Sequence, residues 1–383
     1  MRSYRYSEFP NSPQAWAVNS LTLDGVNLVV GPNASGKTRL INTIAALGTM
    51  IARTPVLQWK SGNWECSFGD GQNTIDLEIS VVNSSVSHER IIYNGEERLV
   101  RHADGNGKIW FDQVGAMVNF RSTDTIVATV AKRDSLQHPF LEPLFKWAER
   151  VRHFQFSTDL GRQTIFLINP QGDSAASDVD AEAKAVLDPN AVVEQYNHGY
   201  SKLLAPFDDA ILADLKQIGY DCTSIHAVHA DEIPFIGGNL PIMLQVQERD
   251  LAMPTKQFQM SNGMFRALAI IIHANFAVMS GLDATILIDD IGEGLDYARS
   301  SSLIDMLIKK CEGSSVQLLM TSNDRFVMNE VDLKYWHVLN RVGHSVNVLD
   351  HSNSKDAFDN FKYLGLSNFD FFSNKGYLGQ VPN

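Results

Sequence analysis

Cysteine is scarce: the 383-residue chain has three, Cys66, Cys222 and Cys311, far apart in sequence. An odd count at wide spacing excludes a disulfide framework and a paired-cysteine metal site, and it points to a reducing, cytoplasmic setting. Long apolar runs are missing too. No stretch approaches the roughly 20 residues of a membrane span, and the opening MRSYRYSEFP lacks the apolar core of a secretory leader, so no membrane partner is expected. Positive charge is in deficit, with 32 Lys and Arg against 44 Asp and Glu and a net charge of −12. A generic grip on nucleic acid needs a basic surface, so charge does not indicate nucleic acid as a partner. AKRDSLQH (131–138) and KWAERVRH (146–153) leave a local patch open, although a solvated helix face is the plainer reading. Sustained heptads are absent, which excludes a long coiled-coil arm. The length suits one elaborated domain, or a domain with a subdomain.

What is present begins with VNLVVGPNASGKTRLINTI, Val26 to Ile44. Leu28, Val29 and Val30 read as a buried strand. Gly31 to Thr38 then match G-x-x-x-x-G-K-[ST] without deviation, and an apolar-periodic helix follows. Small residues let main-chain N–H groups curl round a phosphate, and the helix N-terminus adds its dipole. In that arrangement Lys37 reaches the β- and γ-phosphates and Thr38 offers its hydroxyl to Mg²⁺. A glycine turn before an ordinary helix is the bland alternative.

Along the rest of the chain, SYRYSEF, AWAVNSLTL and VNLVV in 3–30 read as short strands, and Ile41 to Ala52 continue the helix. Strand patterns fill 64–120, with hairpin signals at Gly-Asp-Gly and Asn-Gly. Residues 122–152 read as helical, FLEPLFKWAERV being amphipathic, and RHFQFST reads as a strand. Residues 170–190 are small, polar and acidic, a surface excursion with at most one weak helix. AVVEQYNHGYSKLLAPF and DDAILADLKQIGY are expected to be helices split at Pro206. CTSIHAVHADEIPFIGGNLPIMLQVQER reads as a hairpin across Gly-Gly-Asn. His226, His229 and Asp231 alternate on it and could be drawn as a metal site, but alternation on a half-buried strand explains them as well, and the zinc spacing is wrong.

A second decisive stretch is ATILIDDIGEGLDYARS, 284–300. Ile286, Leu287 and Ile288 form a buried strand that ends in two acids. Asp289 stands where a carboxylate holds Mg²⁺, and Asp290 where a base faces an attacking water. Before it lies QMSNGMFRALAIIIHANFAV, 259–278, in which Ser261 can N-cap a helix whose apolar positions run through Leu268, Ile271, Ile272 and Phe276. A serine and a glycine at a helix start make another anion site.

The order GPNASGKT, MSNGM, ILIDD, GLD and LLMTSND resembles an ABC-type ATPase of the SMC/RecF/OLD branch. More narrowly it is similar to the compact AAA-labelled ATP-binding proteins that accompany bacterial anti-phage defence systems. The resemblance runs from the first strands to about residue 350. It implies an α/β fold: an ABC-ATPase head with a P-loop NTPase core, an N-terminal antiparallel β-subdomain and a helical subdomain. The ranges it implies within 1–383 are a β-rich lobe with the Walker A motif (1–120), a helical insertion (121–220), a lobe with signature, Walker B, D-loop and switch (221–350), and a tail (351–383).

Carried over by position, Gly31, Pro32, Asn33, Ala34, Ser35, Gly36, Lys37 and Thr38 cradle the triphosphate of ATP. Asp289 supports Mg²⁺ with Thr38. Asp290 takes the position of the catalytic glutamate, and Asp296 that of the D-loop aspartate. Ser261 and Gly263 touch the γ-phosphate bound by a second subunit, although Asn262 and Met264 differ from the common Gly and Gln. Asn323 stands where the family has its switch histidine. The shorter Asp290 and the untitratable Asn323 both argue for slow hydrolysis. Gln113, Gln137 and Gln155 are alternatives for the Q-loop glutamine.

Residues 351–383 are too few for a Toprim nuclease, so a complete OLD-type nuclease is not expected. SNFDFFSNKGYLGQVPN reads as a docking tail or as a strand closing the fold. The resemblance implies a homodimer or higher homo-oligomer, closed by ATP and acting on a protein effector such as a nuclease or toxin. A RecF-like DNA-repair ATPase and a non-hydrolysing nucleotide sensor or scaffold are the alternatives.

Overall fold

The computed structural model describes residues 1–52, 57–69, 71–169, 188–361 and 366–378. Most of the acidic 170–190 stretch lies outside the described residues. Packing divides the chain into two compact units, Met1–Val151 with Leu333–Asn383, and Arg152–Asp332. This division follows contacts, whereas the ranges cut at 120, 220 and 350 follow the resemblance and its motif order.

In the first unit the strands run in the order Val26–Val30, Trp336–Val342, Ser345–Asp350, Trp16–Thr22, Ser3–Glu8, Ser61–Gly69, Thr74–Val82, Ser85–Tyr93, Glu96–Arg101, Asn106–Phe111, Ala116–Arg121. Val26–Val30 pairs in parallel with Trp336–Val342, and Ser345–Asp350 in parallel with Trp16–Thr22. From Trp16–Thr22 outward every pairing is antiparallel. Alternation explains the burial: Trp64, Cys66 and Phe68 face inward on one strand, and Ile75, Leu77, Ile79 and Val81 on the next. Helix Lys37–Ala52 buries Leu40, Ile41, Ile44, Leu47 and Ile51 at helical spacing. The Trp64 indole N–H donates to its Thr43 carbonyl at 3.0 Å.

Two buried charges stand opposite each other in this sheet, Glu89 and Arg101, both fully buried. Arg101 donates to the carbonyls of Thr123 (2.6 Å) and Ile126 (2.9 Å). Glu89 accepts from the amides of Ala128 (2.5 Å) and Thr129 (2.7 Å) and from the Thr129 hydroxyl. This pair accounts for a departure from the sequence reading. Residues 122–152 are not continuously helical; they form short helices at Ala128–Ala131 and Glu142–Glu149, with a 3₁₀ turn at Pro139–Leu141. Arg101 holds 123–126 by its carbonyls, and the Asp134 carboxylate caps a turn by accepting from the amides of Leu136 and Gln137.

The tail is corrected as well. Where a strand was one expectation, Asn368–Ser373 is a helix, because Ser367 and Asp370 form a reciprocal capping box. Phe371 is buried, and its ring lies 4.8 Å from those of Phe358 and Phe361.

In the second unit Val151–Gln155, Thr285–Asp289 and Gln317–Ser322 are successive strands, the last two parallel. The hairpin Cys222–His229 with Leu240–Glu248 is antiparallel, as expected. Helices Val192–Leu203 and Ala205–Gln217 break at Leu204, whose φ of 57° is left-handed, and not at Pro206. Proline fits the first turn of the second helix, where its missing N–H costs nothing.

Helix Asn262–Met279 forms the core of this unit. By length and composition only it passes as a candidate span, and 83% of it is buried inside the protein, as in a core helix. A polar triad ties it to its neighbours. The Lys310 ammonium meets Asp214 at 2.9 Å and donates to Asn275 Oδ1 at 2.7 Å, and the Asn275 amide donates to Asp214 at 2.6 Å. All three cysteines are free and buried, and burial pushes the Cys311 thiol up to about 12.

Candidate functional site

The candidate phosphate loop grows out of a fully buried strand, Val26–Val30. Helix Lys37–Ala52 follows directly, so Gly31 to Gly36 must turn the chain within six residues. Ala34 (φ 64°) and Gly36 (φ 105°) are left-handed. Gly36 is also the place where the Trp16 ring closes in: a Cβ there would lie 2.9 Å from Trp16 Cζ2. Residues alternating into left-handed conformation turn successive N–H groups toward one concavity, the geometry of an anion nest.

The Lys37 side chain is 8% exposed. Its ammonium bends back over the loop, donating to the Gly31 carbonyl at 2.9 Å and reaching the Pro32 carbonyl at 3.5 Å. The Pro32 carbonyl also accepts from the Ser35 amide at 3.1 Å. Ser35 Oγ is buried and makes no hydrogen bond among the described residues. Pro32, Asn33, Ala34 and Thr38 are exposed. From outside, Arg341 donates to the Ala34 carbonyl at 2.9 Å, while Arg39 lies over Trp16 at 4.7 Å and donates to Glu8 at 2.8 Å.

In the second unit the acidic strand end is built around Thr321, which the sequence reading did not single out. Asp289 closes strand Thr285–Asp289 and is 6% exposed. The Thr321 hydroxyl donates to Asp289 Oδ1 at 2.7 Å and accepts from the Asp290 amide at 2.9 Å. One buried hydroxyl thus orients one carboxylate and holds the backbone of the other acid. Asp290 has φ 53°, a left-handed conformation that the short polar side chains of Asp and Asn tolerate better than longer residues do. His153 is a further neighbour that sequence reasoning missed. Burial lowers its imidazole, and the Asp289 charge pulls the other way.

Asp290, Glu293, Tyr297, Ser322, Asn323 and Phe326 line one cleft of about 510 Å³. The structure therefore brings together Asp290, Asn323 and the nearby carboxylate Glu293. Asp296 lies beyond them as the N-cap of helix Tyr297–Cys311, accepting from the Arg299 amide at 3.0 Å. That hydrogen bond, with the Arg299 side chain, holds its carboxyl below the usual range.

Ser261 caps helix Asn262–Met279 as expected, accepting from the Met264 amide at 3.2 Å. Gly263 has a structural reason to be glycine. A Cβ there would lie 2.5 Å from the Gly294 carbonyl oxygen, so the helix start and the turn after Asp290 touch by backbone. Of the three glutamines, Gln155 ends the strand beside Thr285–Asp289, and the next amide, Phe156, donates to the Asp289 carbonyl at 3.3 Å. Gln113 and Gln137 lie in turns of the first unit.

No family model matches the sequence, and no curated protein matches it. Solved structures do. An SMC head bound to the C-terminal winged-helix domain of ScpA aligns over 91% of this chain and 97% of its own, with a TM-score of 0.53 and 10% identity. The SMC head domain from Thermotoga maritima aligns over 91% and 99%, at 0.44 and 11%. An SMC head with an extended coiled coil, bound to the C-terminal domain of ScpA from Pyrococcus furiosus, aligns over 94% and 99%, at 0.46 and 9%. The first of these, spanning nearly all of both chains at low identity, is a likeness of architecture: the chain has the mixed α/β fold, with a large sheet, of an SMC head.

Proposed function

We propose that the chain is an ATP-binding, slowly hydrolysing ABC-type ATPase that works as a nucleotide-driven dimeric switch and controls a protein effector, a nuclease or toxin, in anti-phage defence. The observation that carries the reading is the buried Lys37 ammonium wrapped by its own loop. The donor set fits a triphosphate: left-handed Ala34 and Gly36, a cation, and the orphaned Ser35 hydroxyl. Mg²⁺ supplies charge neutralisation on the phosphates, and Thr38 and Asp289 are the residues that would hold it. Asp289 suits this because Thr321 already fixes one of its oxygens. Gln155 is our choice for the Q-loop glutamine, on its place beside the Asp289 strand.

Ser261 is the test of the dimer. Aspartate caps a helix as well as serine does, but it would set a carboxylate against a partner-bound phosphate. Ser261→Asp is expected to keep nucleotide binding and thermal stability and to lose ATP-driven association in light scattering, with turnover; Ser261→Arg should lose association and turnover by bulk, at a cost of about 0.5–2 kcal/mol for the missing cap. Unchanged association and turnover in both variants would remove the composite site.

Asp290 sets the rate in this reading. Its carboxylate is one methylene short, and a misplacement of about 1 Å can cost on the order of a hundredfold. Wild-type turnover is expected to be slow, Asp290→Asn to turn over nothing, and that variant to stay dimeric with ATP. Steady-state rates decide between the two carboxylates of the cleft. Full activity in Asp290→Asn with none in Glu293→Gln would move the role to Glu293. The effector is proposed from the sequence resemblance; a protein docked on a head is also what the solved SMC head shows with ScpA. Co-purification from the native host tests it.

A further inference from the structure

We propose that Arg266 is a positioning residue, a clamp that fixes the turn carrying Asp290 and Glu293 against the start of helix Asn262–Met279. The sequence reading gave Arg266 no role, and neither the phosphate loop nor the acid pair uses it. Its side chain is 8% exposed. Nε donates to the Thr158 carbonyl at 2.8 Å and Nη1 to the Glu293 carbonyl at 3.2 Å. One guanidinium therefore bonds two segments that are distant in sequence, at 108 and 27 residues from it.

Each segment leads to the chemistry. Thr158 folds back on Gln155, its amide and hydroxyl both donating to the Gln155 carbonyl at 3.0 and 2.8 Å. Glu293 belongs to the turn that leaves Asp290, with its amide donating to the Asp290 carbonyl at 3.2 Å. The clamp also lies at the backbone contact of Gly263 with Gly294. A Cβ on Gly294 would come 2.6 Å from Arg266 Nη1, so the guanidinium fills the space that the glycine leaves.

Chemistry explains why the residue is arginine. A planar fork can serve two carbonyls in different directions, which an ammonium on a flexible stem does less well. An arginine near a helix N-terminus gains nothing from the helix dipole, which favours acids there. Helix stability therefore does not account for it. A second arginine closes the same junction from the other side: Arg162 Nη1 donates to the carbonyls of Phe258 and Met260, both at 3.0 Å. The Gln257 side chain adds bonds to the carbonyls of Arg162 (2.9 Å) and Thr164 (2.7 Å). The segment after Gln155, the turn after Asp290 and the Ser261 cap are thus joined so that they move together.

The effect on turnover rests on the ATPase reading above; the clamp itself does not. Arg266→Lys, which keeps the charge, and Arg266→Met, which keeps the length, are compared with wild type in the full chain. Hydrogen exchange without nucleotide reads the clamp. The amides of Glu293 and Leu295 are expected to exchange at least tenfold faster in both variants, while Ile270 to Ile272 in the middle of the helix stay at wild-type rates. Under ATP, kcat is expected to fall at least tenfold with KM, set in the phosphate loop, within twofold. Wild-type exchange at Glu293 and Leu295 in both variants overturns the proposal, as does a uniform acceleration that includes Ile270 to Ile272. A wild type without turnover counts against the ATPase reading alone, and the exchange rates still decide the clamp.

Discussion

Lys37→Ala is expected to abolish ATP binding while the fold survives. Within its own loop the ammonium is held by the carbonyl oxygens of Gly31 and Pro32. Those oxygens carry partial negative charge, and the cation that neutralises them is the group a phosphate would meet. Without it an incoming phosphate faces carbonyl dipoles of its own sign. Hydrogen bonds to charged groups are worth roughly 1.5–3 kcal/mol each. Losing even two such bonds weakens binding by more than about a hundredfold, since every 1.4 kcal/mol is tenfold. The bonds from the ammonium to the Gly31 and Pro32 carbonyls stay within its own loop, so thermal unfolding should shift little. Titration calorimetry checks the first expectation and circular dichroism the second. Unchanged affinity would refute the phosphate-loop assignment, and a collapsed melting curve would make Lys37 a structural residue.

The largest effect on stability is expected at Arg101. Removing one partner of a buried ion pair typically costs 3–5 kcal/mol, because the other charge stays behind uncompensated. Arg101→Met leaves Glu89 at full burial with its hydrogen bonds to Ala128 and Thr129, and it frees the carbonyls of Thr123 and Ile126. Urea unfolding should show a loss of about that size. The loss depends on pH, with a definite sign. Burial raises the Glu89 carboxyl above its ordinary value, against the hydrogen bonds of Thr129 and Ala128 and the charge of Arg101. The native state then binds a proton more readily than the unfolded chain, so stability falls as pH rises through the window above the ordinary carboxylate value. Removing Arg101 raises this carboxyl further. The deficit of Arg101→Met should therefore be smaller in mild acid than at neutral pH. Glu89→Gln combined with Arg101→Met should recover part of it. A single variant as stable as wild type at neutral pH would show that the main-chain amides alone satisfy Glu89.

The elements that sequence analysis placed well are those whose causes are local. The phosphate-loop strand and helix, the Ser261 cap, the strand ending at Asp289 and the Gly-Gly hairpin each depend on contacts within a few residues. Apolar period, glycine position and capping chemistry therefore suffice to read them. The misreadings have non-local causes. Residues 122–127 look helical by composition, but a guanidinium from a neighbouring strand holds them by their carbonyls. The tail is the exception, with a local cause: its aromatic residues suggest a strand, whereas the Ser367–Asp370 capping box starts a helix.

Within the candidate site the division is the same. Lys37, Thr38, Asp289, Asp290 and Ser261 are legible as candidates from motif spacing and strand-end pattern, because phosphate and metal chemistry would call for those residue types at those intervals. Thr321 lies in LLMTSND, where a hydroxyl inside a buried apolar strand was the only signal. Nothing in the local sequence of Arg266 marks it, nor does anything there show the Gly294 carbonyl that packs against Gly263. The order of motifs was sufficient to expect an α/β ATPase-type head. Tertiary structure alone decided which hydroxyl orients the acids, which arginine joins the turns and which charges are buried as a pair, because hydrogen bonds and burial between segments that are not neighbours in sequence leave no periodic trace in either segment.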